Sequence, residues 1–221
     1  MSAYFVTAIG TDIGKTYASA QLLRAARTVG YSVSACKPLM SGFGEDALDA
    51  SDAGQLLAAM ARAVTPETVS EICLHRFEPP LAPNVAMRRA GMVQDYAEIL
   101  AFARRDLPSD PNAFHLIEGA GGLMSPVTDE KLHSDFILDL GLPVILVAAG
   151  YLGAVSHTLT ALDWLNTHGV TIAAIIVSQP SPEAEPPEHL IGEVRRFSNL
   201  QGCGLRYGDD GQYILKSIFR Q

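Results

Sequence analysis

The residues best equipped for chemistry stand near the N-terminus, in Gly10-Thr11-Asp12-Ile13-Gly14-Lys15-Thr16, directly after an apolar run over residues 4–8. Gly-Lys-Thr is how a phosphate-binding loop ends, although that pattern asks for a glycine where this chain has Ile9; the glycine comes one residue later, at Gly10. A glycine-rich turn feeding a helix aims several backbone N–H groups at one point and adds the helix dipole. Lys15 supplies a point charge for terminal phosphates, and the Thr16 hydroxyl is placed to ligate Mg²⁺. The alternative is an ordinary strand-to-helix turn with a capping Thr and an exposed Lys; the position between a buried strand and a helix favours the phosphate loop.

Other polar residues recur at comparable positions. Lys37 ends the run "YSVSACKP", and Pro38 fixes the turn beyond it, with Ser41-Gly42 expected in a loop. Asp52 stands at a helix start, where a lone Asp is usually a cap. Glu118 closes "AFHLIE" and is followed by Gly119, Gly121 and Gly122, which let a backbone approach a ligand closely. Thr16, Asp52 and Glu118 together form an all-oxygen set of the kind that suits Mg²⁺. Gly153 to His157 open a further helix whose free N–H groups form an anion site; His157 is either a catalytic group or, the favoured reading, a residue that fixes the helix start.

The elements that must position these residues alternate. Residues 4–8, 31–38, 113–119, 142–150 and 170–178 read as strands, and 15–29, 51–64, 93–107, 156–169 and 190–199 as helices. Gly30 and Gly169 follow two of those helices as stop signals, and residues 179–190 form a polar, proline-rich loop. The expected fold is α/β: an open, mostly parallel sheet with helices on both faces, in a single domain over residues 1–221. In such sheets ligands bind outside the carboxyl ends of the strands, where these side chains stand. A net charge of −8 without a basic block argues against nucleic acid and anionic membrane as partners. Three cysteines without metal-like spacing, no signal-peptide pattern and no long apolar run lead to the expectation of a cytoplasmic protein.

The landmarks, taken in order, resemble the dethiobiotin synthetase family of P-loop NTPase-like enzymes. The stretch from Ala8 to Thr16 has that family's loop length, one residue longer than the usual pattern, with Ala8 where a glycine is expected. "KPLMSG", "SDA", "EGAGG", "SPVTD" and "LGAVSHTLT" follow as similar motifs through most of the chain. The resemblance implies ATP-dependent closure of a ureido ring on 7,8-diaminononanoate with CO₂, Mg²⁺ as the metal, and a homodimer. It implies Lys37 and Lys15 as catalytic residues, and Thr16, Asp52 and Glu118 around the metal. For ATP it implies Asp12, Ile13, Gly14, Lys15, Thr16, Tyr17, Asp52, Glu118, Gly119, Ala120, Gly121, Ser178 and Gln179; for the substrate, Thr11, Lys37, Ser41, Gly153, Val155 and Ser156.

The chain departs from the family pattern at Tyr151, where a basic residue is usual, and at Ser156, where Asn is common. Ser178-Gln179 replace the Asn that reads adenine, and "GCGLRYGDDG" stands where a base-binding turn is expected, so weak adenine selectivity is anticipated. Two other functions are compatible with the same motifs: a switch ATPase of the partitioning or metal-chaperone type, and a non-catalytic homologue with a broken loop.

Overall fold

The computed structural model describes residues 3–199 and 202–218, so the two ends of the expected 1–221 domain lie outside the described residues. β1 (Ala3–Ala8) leads into α1 (Lys15–Thr28), which returns to β2 (Ser32–Cys36). The long connection to the next sheet strand holds β3 (Leu39–Ser41), a 3₁₀ segment (Glu45–Ala50), α2 (Asp52–Ala59), α3 (Pro66–Ile72), β4 (His75–Phe77), α4 (Pro83–Arg89) and α5 (Tyr96–Arg104). Then come β5 (Ala113–Glu118), α6 (His133–Leu140), β6 (Val144–Ala148) and α7 (Ala154–Thr167). β7 (Ile172–Ser178), α8 (Pro187–Arg195), β8 (Gly202–Leu205) and α9 (Gln212–Ile218) complete the described chain.

Six strands form one sheet in the order β2-β5-β1-β6-β7-β8, parallel at every pairing. Side chains alternate across it. Along β1, Tyr4, Val6 and Ala8 pack with α1, α2, α3 and α9, whereas Ala3 and Phe5 pack with helices α4 to α8. Helices on both faces bury both faces, which is why β1 and β6 are buried at every residue. After β1 the chain turns to one side of the sheet, and after β5 it crosses to the other. The crevice at the carboxyl end of β1 lies at that reversal.

Several expected boundaries move for local reasons. The helix expected over 51–64 ends after Ala59, with Ala61 in the left-handed region at φ 57°. α3 then restarts the chain with a reciprocal Thr65–Thr68 cap and Pro66 in its first turn. The helix expected over 93–107 begins only at Tyr96, where the Asp95 carboxylate accepts from the Glu98 N–H at 3.0 Å. Likewise α8 starts inside the expected proline-rich loop, because Pro187 suits a first helical position. Ser41 is not in a loop: Leu39–Ser41 pairs in parallel with His75–Phe77, a ribbon apart from the main sheet. Among the described residues no helix is long and apolar enough to cross a membrane.

Candidate functional site

The loop after β1 is anchored at its base, where the Ile9 N–H donates to Val147 O at 3.0 Å. Asp12 at φ 57° and Gly14 at φ 87° turn the backbone left-handed before α1 starts at Lys15. Such a turn leaves the N–H groups of the first helical turn free of intrahelical partners and aimed at one point. Ile13 is buried in the core, so only its backbone is open to a ligand. The unusual front of the loop is packed: Ala8 is fully buried and Ile9 rests against both apolar clusters. Gly10 contributes a carbonyl that accepts from Lys15 Nζ at 3.3 Å. Burial lowers the Lys15 pKa to about 8, helped by the neighbouring Lys37 charge and opposed by Glu118, Asp52 and Asp12.

Beside the loop lies a buried charge cluster. Strand register builds it: Cys36 pairs with Ile117, so Lys37, just past the end of β2, and Glu118, the last residue of β5, come side by side. Lys37 Nζ lies 2.7 Å from Glu118 Oε1, 2.8 Å from Asp52 Oδ2 and 3.1 Å from Gly119 O. An ammonium has three N–H donors, and here each finds an acceptor. Burial alone would lower the Lys37 pKa, but Glu118 and Asp52 outweigh it and raise it above the usual lysine value. Burial pushes Asp52 up, but Lys37 and Thr16 more than compensate and hold its carboxyl below the ordinary range. Ser51 caps α2 by accepting from Gly54 N–H at 3.0 Å, which leaves the Asp52 carboxylate free for Lys37.

Thr16 Oγ1 lies 2.9 Å from Asp52 Oδ1 and 2.8 Å from Glu118 Oε1. A hydroxyl has one proton and cannot donate to both carboxylates. The second contact brings two lone pairs together, and Glu118 Oε2 is buried without a partner. A cation would resolve both, so this oxygen set fits a hard divalent ion. Among the described residues no group of three His, Cys, Asp or Glu side chains is arranged as a metal site. Two carboxylates and a hydroxyl suffice for Mg²⁺, which keeps waters and takes phosphate oxygens.

The loop after β5 is held against the phosphate loop backbone to backbone. A Cβ on Gly122 would sit 3.0 Å from Gly10 N and 3.1 Å from Ala8 O, so a side chain there would have to push the two backbones apart by a few tenths of an ångström. Gly119 N–H donates to Val6 O, Gly122 N–H to Ser125 Oγ and Leu123 N–H to Ala8 O. His133 completes this frame, taking the Ala120 N–H on Nε2 at 3.0 Å. Sequence reasoning did not single His133 out; a His at a helix start, paired with no other polar motif, carries no signal until the fold brings it under the loop.

These elements enclose a cavity of about 600 Å³. Thr11, Asp12, Gly14, Lys15, Thr16, Tyr17, Lys37, Ser41, Asp52, Ala120 and Gly121 line it. Gln55, Ser125, Pro180 and the run from Pro80 to Pro83 also line it, and sequence reasoning assigned none of them to the site. Glu118 and Gly119 stand behind Lys37 rather than in the wall. Ser178 is fully buried, with its Oγ facing Gly14 and without a hydrogen-bond partner. The Gln179 amide donates to Ala184 O at 2.9 Å. Gly153, Val155 and Ser156 do not line the cavity. They sit at the start of α7, where Tyr151, whose hydroxyl faces Gly10, shares a hydrogen bond of 2.7 Å with His157 Nδ1.

Comparison with known proteins shows the family and the fold. The AAA domain family matches residues 2–204. ATP-dependent dethiobiotin synthetase BioD of Phenylobacterium zucineum is 48% identical over 188 residues, 85% of this chain and 80% of that protein. The BioD of Caulobacter vibrioides strain NA1000 / CB15N is 44% identical over 90% of this chain and 89% of its own length. That of Bacillus cereus is 37% identical over 99% of this chain and 88% of its own. Among solved structures, the MinD cell division protein of Aquifex aeolicus superposes with a TM-score of 0.51 at 12% identity, covering 99% of this chain and 87% of that one. That likeness shows a shared fold alone. From its sequence relatives, the chain is an enzyme of the ligase class and belongs to the ATP-dependent dethiobiotin synthetase family.

Proposed function

We propose that this protein uses ATP to carboxylate 7,8-diaminononanoate with CO₂ and close the ureido ring of dethiobiotin, a step of biotin biosynthesis. The observation that carries the reading is the Lys37–Asp52–Glu118–Thr16 cluster, built against the phosphate loop beside one cavity. One substrate amine takes up CO₂ as a carbamate, whose oxygen attacks the γ-phosphorus and expels ADP. The second amine attacks the carbonyl of the resulting carbamic–phosphoric anhydride, the ring closes and phosphate leaves. Two anions must meet in this sequence, and Coulomb repulsion opposes them. The loop N–H groups from Asp12 to Tyr17 grip the phosphates, and Lys15 neutralises their terminal charge. In the free protein Asp52 and Glu118 hold Lys37 as an ammonium, so its role is an electrostatic clamp on the carbamate and γ-phosphate rather than a base. Thr16, Asp52 and Glu118 would hold Mg²⁺, which when bound offsets phosphate charge.

Thr11 and Ser41 contact the diamine from the cavity wall. Gly153, Val155 and Ser156 hold its carboxylate at the helix start of a second copy, so the working form is a C₂ homodimer. Ala120 and Gly121 flank the phosphates. Ser178 and Gln179 border the base and read its edges weakly, since Ser178 faces Gly14 and one Gln179 amide N–H is taken by Ala184 O. The protein works as one domain over residues 1–221, in the cytoplasm, without nucleic acid or membrane as a partner.

The direct test is phosphate release from Mg²⁺–ATP with and without 7,8-diaminononanoate and bicarbonate, with the product identified by mass spectrometry. Release that requires both additions and forms dethiobiotin is expected; release without the diamine would instead make the protein a switch ATPase. In the same assay the preference for ATP over CTP or GTP is expected to stay below about 10-fold in kcat/KM, as for a pocket that reads the base edges weakly. A preference of about 10³ or more would show that the base is read strongly.

Nucleotide affinity should also depend on pH through Lys15. The free enzyme loses the Lys15 proton as pH rises through about 8, whereas bound phosphates hold it on. Kd is therefore expected to rise above about pH 8, approaching tenfold per unit, with proton uptake on binding. Calorimetry in buffers of different ionisation enthalpy measures that uptake, and a flat Kd between pH 7 and 9 would contradict it.

A further inference from the structure

His133 does not line the cavity, yet its ring is almost fully buried. Phe5 and Phe136 flank it at centroid distances of 6.4 and 6.5 Å. Nδ1 lies 2.9 Å from Ser125 O, and Nε2 lies 3.0 Å from Ala120 N. A backbone carbonyl can only accept and a backbone N–H can only donate. The ring is therefore neutral and carries its proton on Nδ1, with Nε2 as acceptor. Burial agrees, moving the His133 pKa down to about 4.

The acceptor bond matters because of the peptide group that it holds. Ala120 N–H and Gly119 C=O belong to one planar peptide unit. Gly119 O accepts from Lys37 Nζ at 3.1 Å, so this plane is held by His133 at one edge and by Lys37 at the other. The ring also packs against the Gly119 Cα: a Cβ there would come within 2.9 Å of His133 Cδ2. Hydrogen bonds in series polarise each other, so the bond to His133 also strengthens the carbonyl as an acceptor.

We propose that His133 is a positioning residue for Lys37, acting through the Gly119–Ala120 peptide plane and requiring its Nδ1–H tautomer. A tilt of that plane removes one of the three acceptors of the Lys37 ammonium and lets Nζ drift relative to the reacting groups. Small displacements of this kind lower turnover more than binding. The proposal rests on the reading that Lys37 acts in turnover.

Three variants separate the two hydrogen bonds. His133→Gln puts a carboxamide oxygen near the Nε2 position and keeps the acceptor for Ala120. His133→Asn reaches only the Nδ1 position and loses that acceptor, and His133→Phe loses both bonds. The expected result is kcat within about 3-fold of wild type for H133Q, with losses of about 10- to 100-fold for H133N and H133F and little change in nucleotide KM. The ring ¹⁵N shifts of the full-length wild type should show a protonated Nδ1 and a bare Nε2. Equal kcat for the folded Gln and Asn variants, or a proton on Nε2, would overturn the proposal, and neither depends on H133F folding. K37A measured alongside keeps the two levels apart. If K37A is inert while H133N and H133F turn over normally, only the role of His133 falls; an active K37A removes the reading beneath it.

Discussion

Lys37→Ala is expected to lower kcat by about 10³-fold, the scale on which losing one preorganised electrostatic group acts. Lys37 is 2% exposed and joins Asp52, Glu118 and the Gly119 carbonyl. Its removal takes away a charge that nothing else at the site replaces, because Lys15 stands on the phosphate loop and its ammonium meets the Gly10 carbonyl. Stability should fall as well. Breaking a buried ion pair costs about 3–5 kcal/mol, and the partial exposure of the Asp52 side chain (37%) moves this case to the lower end or below. A domain of ordinary stability survives that loss at 25 °C. The two carboxylates left without Lys37 should bind a divalent ion more readily, so Mg²⁺ is expected to raise Tm more in the variant than in wild type. Steady-state phosphate release and thermal unfolding with and without Mg²⁺ measure both effects. Turnover within tenfold of wild type would remove Lys37 from the reaction.

Gly14→Ala is expected to weaken nucleotide binding by about 100-fold, as the sum of two separable costs. The first is conformational: at φ 87° a residue with a Cβ pays about 1–2 kcal/mol. The second is steric, because the new Cβ would lie 2.4 Å from Ser178 Oγ, 3.1 Å from Ser178 Cβ and 3.2 Å from Pro180 Cβ. Ser178 ends β7 and cannot swing aside as the tip of a long side chain would, so the loop must move instead. Adding Ser178→Ala removes the closest clash and leaves the φ term, and the double variant is expected to recover part of the affinity. Ser178→Ala alone should be neutral or slightly stabilising, since its hydroxyl is buried without a partner. Isothermal titration with ATP on the three variants resolves the terms, and wild-type affinity in G14A would mean that the loop does not grip the nucleotide.

Much of this site was legible in the chain itself, for reasons that are local. A Gly-Lys-Thr between a buried strand and a helix declares its context within a few residues, and Pro38 after Lys37 or the glycines after Glu118 mark strand ends equally directly. Parallel strands buried on both faces are continuously apolar, so the sheet itself could be recognised from β1, β5, β6 and β7. Short elements were not legible: β3, β4 and α4 are too brief to show a period, and β8 and α9 lie in a stretch rich in glycine and charge.

Distances between residues far apart in the chain were decided only in three dimensions. No local pattern announces that Cys36 pairs with Ile117, yet that register sets Lys37 against Glu118. Nor does any announce that Tyr17 would hold the backbone of Arg206 and Gly208, that Ser178 would turn onto Gly14, or that His133 would hold Ala120. The amino-acid sequence by itself determined the kinds of group available and the strand ends that carry them, because backbone propensity and burial act over a few residues. Which of those groups touch was decided by sheet order and register, which exist only once the whole core has packed.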